Sequence, residues 1–135
     1  MIGGIEIPSQ FGEDAHSDGD VLLHALIDAI LGAFAMGDIG SFFPPDDDEW
    51  KGADSKDLLS KVLIATKPDI INIDSTVTLE KPKLRGSIDS IRESVAALLG
   101  ISTSQVSVKA KTNERLDSIG TGLAVKAECV VLINN

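Results

Sequence analysis

Three polar side chains punctuate the apolar stretch that runs to Met36: Asp20, His24 and Asp28. Their spacing of four and four lines them up as one stripe along a helix. From Val21 to Met36 nearly every other residue is apolar, and such a helix is buried on most sides. The stripe must therefore meet a metal, a ligand or buried hydrogen-bonding partners. A lone histidine on such a face is ordinarily a satisfied core residue, but carboxylates one turn to either side strengthen the case for a ligand. The only other histidine, His16, stands with Ser17 just ahead of the helix. Amides and the helix dipole favour anions there, so a phosphate site is one reading. Ser17 also reads as an ordinary cap, with Asp20 completing a capping box.

Other segments carry potential chemistry. Lys81-Pro82-Lys83-Leu84-Arg85-Gly86 is the densest positive patch, either a solvated turn or a site for phosphates or a nucleotide. Thr112-Asn113-Glu114 follows a strand directly, a common place for site chemistry. The acidic run Asp46–Glu49 reads as a solvated loop or a divalent-cation site, without the glycine and ligand pattern of a calcium loop. Cys129 has apolar neighbours on both sides and reads as a core residue.

The elements that position these residues follow from periodicity and turn signals. Residues 1–8 read as a short strand ended by Pro8, and 9–15 as a polar loop. A helix over 17–36 stops at Gly37. Residues 37–51 form a long loop with paired prolines; its aromatics argue against disorder. A helix over 54–66, capped by Asp54 or Ser55, ends at Pro68. Residues 70–80 are a strand whose alternation puts Ile71, Ile73, Ser75, Val77 and Leu79 on one face. A helix over 86–99 closes at Gly100. Strands follow at 106–111 and 123–133, joined by a long hairpin-like loop with a glycine turn at 117–122. This order predicts an α+β fold, helices packed on a mostly antiparallel or mixed sheet.

A chain of 135 residues is one domain, 1–135, large enough for a proper core. Hydrophobic residues make up 43% and charged residues 24%, ordinary for a globular protein. The net charge of −9 argues against nonspecific nucleic-acid binding, which needs a basic face. It leaves room for a small anionic substrate held by local cations or metals. One cysteine gives no disulfide framework and points to a reducing compartment. Asp28 breaks the longest apolar run, so no membrane span is expected, and no signal or transit peptide is evident.

Together, His16-Ser17-Asp18-Gly19-Asp20, Leu23-His24-Ala25-Leu26, Gly37-Asp38-Ile39-Gly40, Trp50-Lys51-Gly52-Ala53-Asp54-Ser55, Pro82-Lys83-Leu84 and Lys109-Ala110-Lys111-Thr112-Asn113-Glu114 resemble the 2-C-methyl-D-erythritol 2,4-cyclodiphosphate synthase family, in its order and near its spacing. Ile2-Gly3-Gly4-Ile5-Glu6-Ile7-Pro8 fits as well. The resemblance implies a homotrimer of ferredoxin-like two-layer subunits, with helices on one face of a mixed sheet and active sites between neighbours. It implies a phosphorus–oxygen lyase of non-mevalonate isoprenoid biosynthesis. In its reaction the 2-phosphate of 4-diphosphocytidyl-2-C-methyl-D-erythritol 2-phosphate attacks the β-phosphorus and CMP leaves. A cytoplasmic or plastid-stroma location follows from the same likeness.

The same resemblance implies residue roles. His16 and Thr112 would steady the transition state, and Ser17 would contact phosphate. Asp38, Ile39 and Gly40, with Phe43, Pro44, Pro45, Asp46 and Asp47, would form the methylerythritol pocket. The loop from Glu80 to Leu84, notably Lys83 and Leu84, would hold cytidine and diphosphate together with Lys111, Asn113 and Glu114. Glu114 would also bind Mg2+ or Mn2+, and His24 zinc.

The family's other zinc ligands are an Asp-x-His pair on an N-terminal strand. This sequence begins Met1-Ile2-Gly3-Gly4 and holds no Asp-x-His. It reads as N-terminally truncated relative to the family, with that first strand missing. The expectation is weak zinc binding and low turnover; the alternative is an impaired trimer that still binds cytidine nucleotides. Pro45 stands where the family usually has Asp, and Thr121 where it often has a basic residue.

Overall fold

The computed structural model describes residues 1–8 and 19–134. The expected 9–15 loop, His16, Ser17 and Asp18 lie outside the described residues. The elements are α1 (Val21–Ala33), α2 (Ile39–Phe42), α3 (Ser55–Thr66), β1 (Asp69–Thr78), α4 (Ile88–Leu99), β2 (Val106–Lys111), α5 (Asp117–Gly120) and β3 (Lys126–Asn134). Short 3-10 turns span Asp48–Trp50, Arg85–Ser87 and Thr103–Gln105. The fold is α+β, as the order of elements predicts.

The described strands form one mixed sheet in the order β2-β1-β3. The α4 crossover returns the chain parallel to β1, so Ile73 faces Val106 and Thr78 faces Lys111. β3 pairs antiparallel on the other edge of β1, with Ser75 opposite Cys129. The expected hairpin between the last two strands is therefore absent: β1 lies between them. α1 packs on β3 and α3, and α4 packs on β2.

Helices cover one face of the sheet. Leu23, Ile27, Ile30 and Leu31 of α1 have no exposed surface, nor do Val62 of α3, Val77 of β1 and Ile91 of α4. Each such aliphatic side chain contributes roughly 1.5–3 kcal/mol of transfer free energy. The opposite face is exposed. It carries Asp74, Thr76 and Thr78 of β1, Lys109 and Lys111 of β2, and Glu128, Val130 and Leu132 of β3. Val130 and Leu132 are 70% and 56% exposed, large values for aliphatic residues in a strand.

Four local expectations need correction. Residues 1–8 form no sheet strand; Ile2 and Ile5 make an isolated antiparallel bridge around the Gly3–Gly4 turn. Gly3 has φ 61° and Gly4 φ 81°, and a Cβ on Gly3 would lie 2.6 Å from Ile91 Cγ2. Only glycine fits there. α1 begins at Val21 with Asp20 as its own cap, and it ends at Ala33 before Gly37. Met36 N–H reaches Leu31 O and Ala35 N–H reaches Gly32 O, with Ala35 at φ 54°. That is a Schellman closure with alanine in the left-handed position. In β1 a register shift between Ile70 and Asn72 turns Ile71 outward and buries Ile70 with Ile73, Ser75, Val77 and Leu79. The 37–51 loop contains α2 and a 3-10 turn.

Candidate functional site

The stripe on α1 meets protein groups at all three positions. Asp20 has no exposed surface. Its carboxylate accepts from Gly3 N at 2.8 Å, Gly4 N at 2.6 Å and Leu23 N at 3.0 Å. His24 Nε2 lies 2.9 Å from Oγ of Ser55, the first residue of α3, which is itself fully buried. Asp28 Oδ1 accepts from Ile39 N at 2.8 Å. Among the described residues no group of three or more His, Cys, Asp or Glu side chains could hold a metal ion.

Beyond α1 the chain turns through Asp38–Phe43. Asp38 caps α2 by accepting from Ser41 N at 2.7 Å. The Ser41 hydrogen bonds hold its carboxyl below the usual range. Phe43 is 6% exposed. Its ring meets Phe42 and Trp50 edge-on, each at 5.0 Å between centroids. Lys61 of α3 places its ammonium 5.2 Å from the Trp50 ring. These contacts fasten the loop, while Pro44, Pro45, Asp46 and Asp47 remain exposed. Asp47 accepts from Glu49 N, capping the 3-10 turn.

A second cluster forms where β1 and β2 end. Leu79 N donates to Lys111 O at 2.9 Å, so the parallel pairing extends one step past Thr78. The segments that follow lie side by side and enclose a cavity of about 270 Å³, lined by Leu79, Pro82, Lys83, Leu84, Arg85, Ile88, Ala110, Lys111 and Thr112. Its walls mix aliphatic surface with three cationic side chains, which suits a flat ring bearing phosphates. Beside it, Thr112 Oγ1 donates to Glu114 Oε1 at 3.4 Å. Glu114, Arg115 and Asp117 take φ of 52°, 62° and 57°, a costly conformation for non-glycine residues that clusters at functional sites. Gly120 packs so closely that a Cβ would lie 2.2 Å from Arg115 C. Asp117 accepts from Ile119 N at 2.8 Å, a bond that lowers its carboxyl pKa.

A model of the YgbB family matches residues 1–134. The 2-C-methyl-D-erythritol 2,4-cyclodiphosphate synthase of Brachyspira hyodysenteriae is 48% identical over 136 residues, covering 98% of this chain and 86% of that protein. The chain belongs to this synthase family. A solved synthase structure superposes with a TM-score of 0.88 at 36% identity, covering 99% of this chain and 89% of that one. A synthase solved in a CDP-bound form gives 0.86 at 34% identity, covering 99% and 89%. The ferredoxin-like fold expected from the resemblance stands. The chain is a cyclodiphosphate synthase, a lyase of isoprenoid biosynthesis that forms the cyclic diphosphate.

In this synthase the described site residues fall into two groups. Lys83, Leu84, Lys111 and Thr112 share the cavity at the β1 and β2 ends. Asn113, which donates to Leu116 O at 3.0 Å, and exposed Glu114 follow directly. Asp38, Ile39, Gly40 and Phe43–Asp47 belong to the loop beside α1 and α3 and are not part of that lining. His16 and Ser17 lie outside the described residues. Nothing local in the sequence signals Ile88 as a cavity wall or Ser55 as the partner of His24, whereas Arg85 belongs to the basic run with a phosphate or nucleotide reading. Ser55 reads only as a cap. Glu80 adds one further feature: its Oε2 is buried without a hydrogen-bond partner among the described residues.

Proposed function

We propose that the cytidine and diphosphate of 4-diphosphocytidyl-2-C-methyl-D-erythritol 2-phosphate occupy the cavity between Leu79–Ile88 and Ala110–Thr112. The observation that carries this reading is that one cavity joins the basic loop and the end of β2, two segments far apart in sequence. Lys83 and Lys111 meet the phosphates, Leu84 lies against the base, and Asn113 and Glu114 lie at the diphosphate end. The erythritol end meets Asp38, Ile39, Gly40 and Phe43, with Pro44, Pro45, Asp46 and Asp47 at the rim. The family likeness supports a homotrimer as the working unit, with each site shared between neighbouring copies. The exposed sheet face with Val130 and Leu132 suits burial between copies.

The reaction is an in-line displacement. An oxygen of the 2-phosphate forms a bond to the β-phosphorus, the bond from that phosphorus to the bridging oxygen breaks, and CMP leaves with that oxygen and its electron pair. The protein bends a flexible polyanion until its ends meet, and offers donors to the charge on the attacked phosphorus. Thr112 and His16 take that role, with Ser17 on phosphate.

A Mg2+ or Mn2+ ion fits Glu114, since such ions are commonly held by one carboxylate plus substrate phosphates. Bound there, the cation supplies charge neutralisation at the diphosphate. Zinc at His24 fits less well. It normally takes three or four protein ligands, and Asp20 and Asp28 are committed to backbone amides. No step is assigned to it. Among the described residues no helix is long and apolar enough to cross a membrane; the family likeness favours the cytoplasm or the plastid stroma.

Phosphorus NMR of the chain with substrate and magnesium tests this reading. The cyclic diphosphate and CMP should appear together, and Lys111→Ala should weaken substrate binding. Nucleotide binding without CMP release would refute the catalytic reading.

A further inference from the structure

We infer that Asp28 is a positioning residue that sets the Asp38–Phe43 turn against the core. The inference rests on the reading that this turn meets the erythritol end of the substrate.

Ile39 N–H is the first amide of α2, a donor with no partner inside its own helix. Asp28 Oδ1 takes it at 2.8 Å from eleven residues earlier in the chain. A carboxylate acceptor makes this a charge-assisted bond, formed at the surface, where Asp28 is exposed and water screens part of its charge. Its mounting is firm: Leu26, Ile27, Ile30 and Leu31, around Asp28 on α1, are at most 1% exposed. The end of the turn is fastened by Phe43, which packs against Phe42 and Trp50, while its start is more exposed. Gly40 and Ser41 are exposed, Ile39 is half-buried, and Phe43, the last residue of the turn, is 6% exposed. Asp38 grips Ser41 N, but that contact stays within the turn and fixes its shape. Asp28 supplies a link from the turn to α1.

The other members of the stripe do comparable work. Asp20 holds the Gly3–Gly4 turn and His24 meets the start of α3. Three residues spaced along α1 thus each receive a different incoming segment, and the stripe acts as a row of tethers. Asp28 is the one whose segment carries residues assigned to the substrate.

The test compares Asp28→Ala and Asp28→Asn in the full chain, reading amide hydrogen exchange and steady-state kinetics. In Asp28→Ala the Ile39 amide should exchange about tenfold faster, the scale of one lost hydrogen bond. KM should rise about tenfold with a smaller fall in kcat, as expected when a binding contact shifts. Asn retains an acceptor oxygen, so Asp28→Asn should restore both readings to near wild type. Unchanged Ile39 exchange in Asp28→Ala would overturn the inference. So would an Asn variant as impaired as the Ala variant, because the charge would then act directly. If the unaltered chain releases no CMP, the site reading fails, and Ile39 exchange decides the tether by itself.

Discussion

Gly4 N–H donates to Oδ2 of the fully buried Asp20 at 2.6 Å. The same carboxylate serves Gly3 and Leu23, so one side chain caps α1 and seats the first turn of the chain. Asp20→Ala leaves these amides without that acceptor, at roughly 1–3 kcal/mol for each one left unsatisfied. Urea unfolding should show a loss of about 2 kcal/mol or more. A variant as stable as wild type would mean that the turn detaches freely.

Thr112 offers its hydroxyl where the cavity opens toward Glu114. Removing that donor with Thr112→Val should lower kcat by about 10²–10³, the usual size for one transition-state donor. CDP binding should change little. An unaltered kcat would remove Thr112 from the chemistry.

The Asp38 cap has a definite pH signature. Its carboxyl titrates below the usual value because Ser41 donates to the charged form. A lowered folded pKa stabilises the cap above the unfolded value of about 3.9, and that contribution fades as pH falls through the lower folded value. NMR titration of the Ser41 amide should thus show the cap intact at pH 5 and lost only in stronger acid. Loss of the bond near pH 5 would contradict this.

Cys129 faces the covered side of β3, and burial, aided by the nearby Asp74 charge, pushes its thiol up to about 12. At pH 8 the folded protein should react with a thiol reagent far more slowly than the urea-unfolded chain. Equal rates would mean that β3 opens readily.

Zinc offers a further check. With Asp20 and Asp28 engaged on amides, titration of the 135-residue chain should show weak binding at most. Tight, stoichiometric zinc would show that donors beyond the described residues complete a site.

Several features were legible from the residues alone, and the failures share a cause. The bounds of β2 are legible because its alternation is local, and Asp54 is one of two cap candidates that the sequence offers for α3. The stripe on α1 was visible in its spacing, but its partners Gly3, Ser55 and Ile39 come from elsewhere in the chain. Local periodicity says that a polar residue needs a partner and is silent about which segment provides it. The outward turn of Ile71 has a similar origin, since an irregular pairing with β3 overrides strict alternation. The expected hairpin failed because turn chemistry marks a reversal without fixing which strand becomes the neighbour. On the site, the basic loop and Thr112–Glu114 each carry a local signal of their own. Parallel pairing of β1 with β2 makes them one cavity.

The most direct test is an amide-resolved NMR titration with CDP in magnesium buffer. Shifts should concentrate at Leu79–Ile88 and Ala110–Glu114. Saturating CDP that leaves those segments unmoved, or moves a different surface instead, would contradict the account.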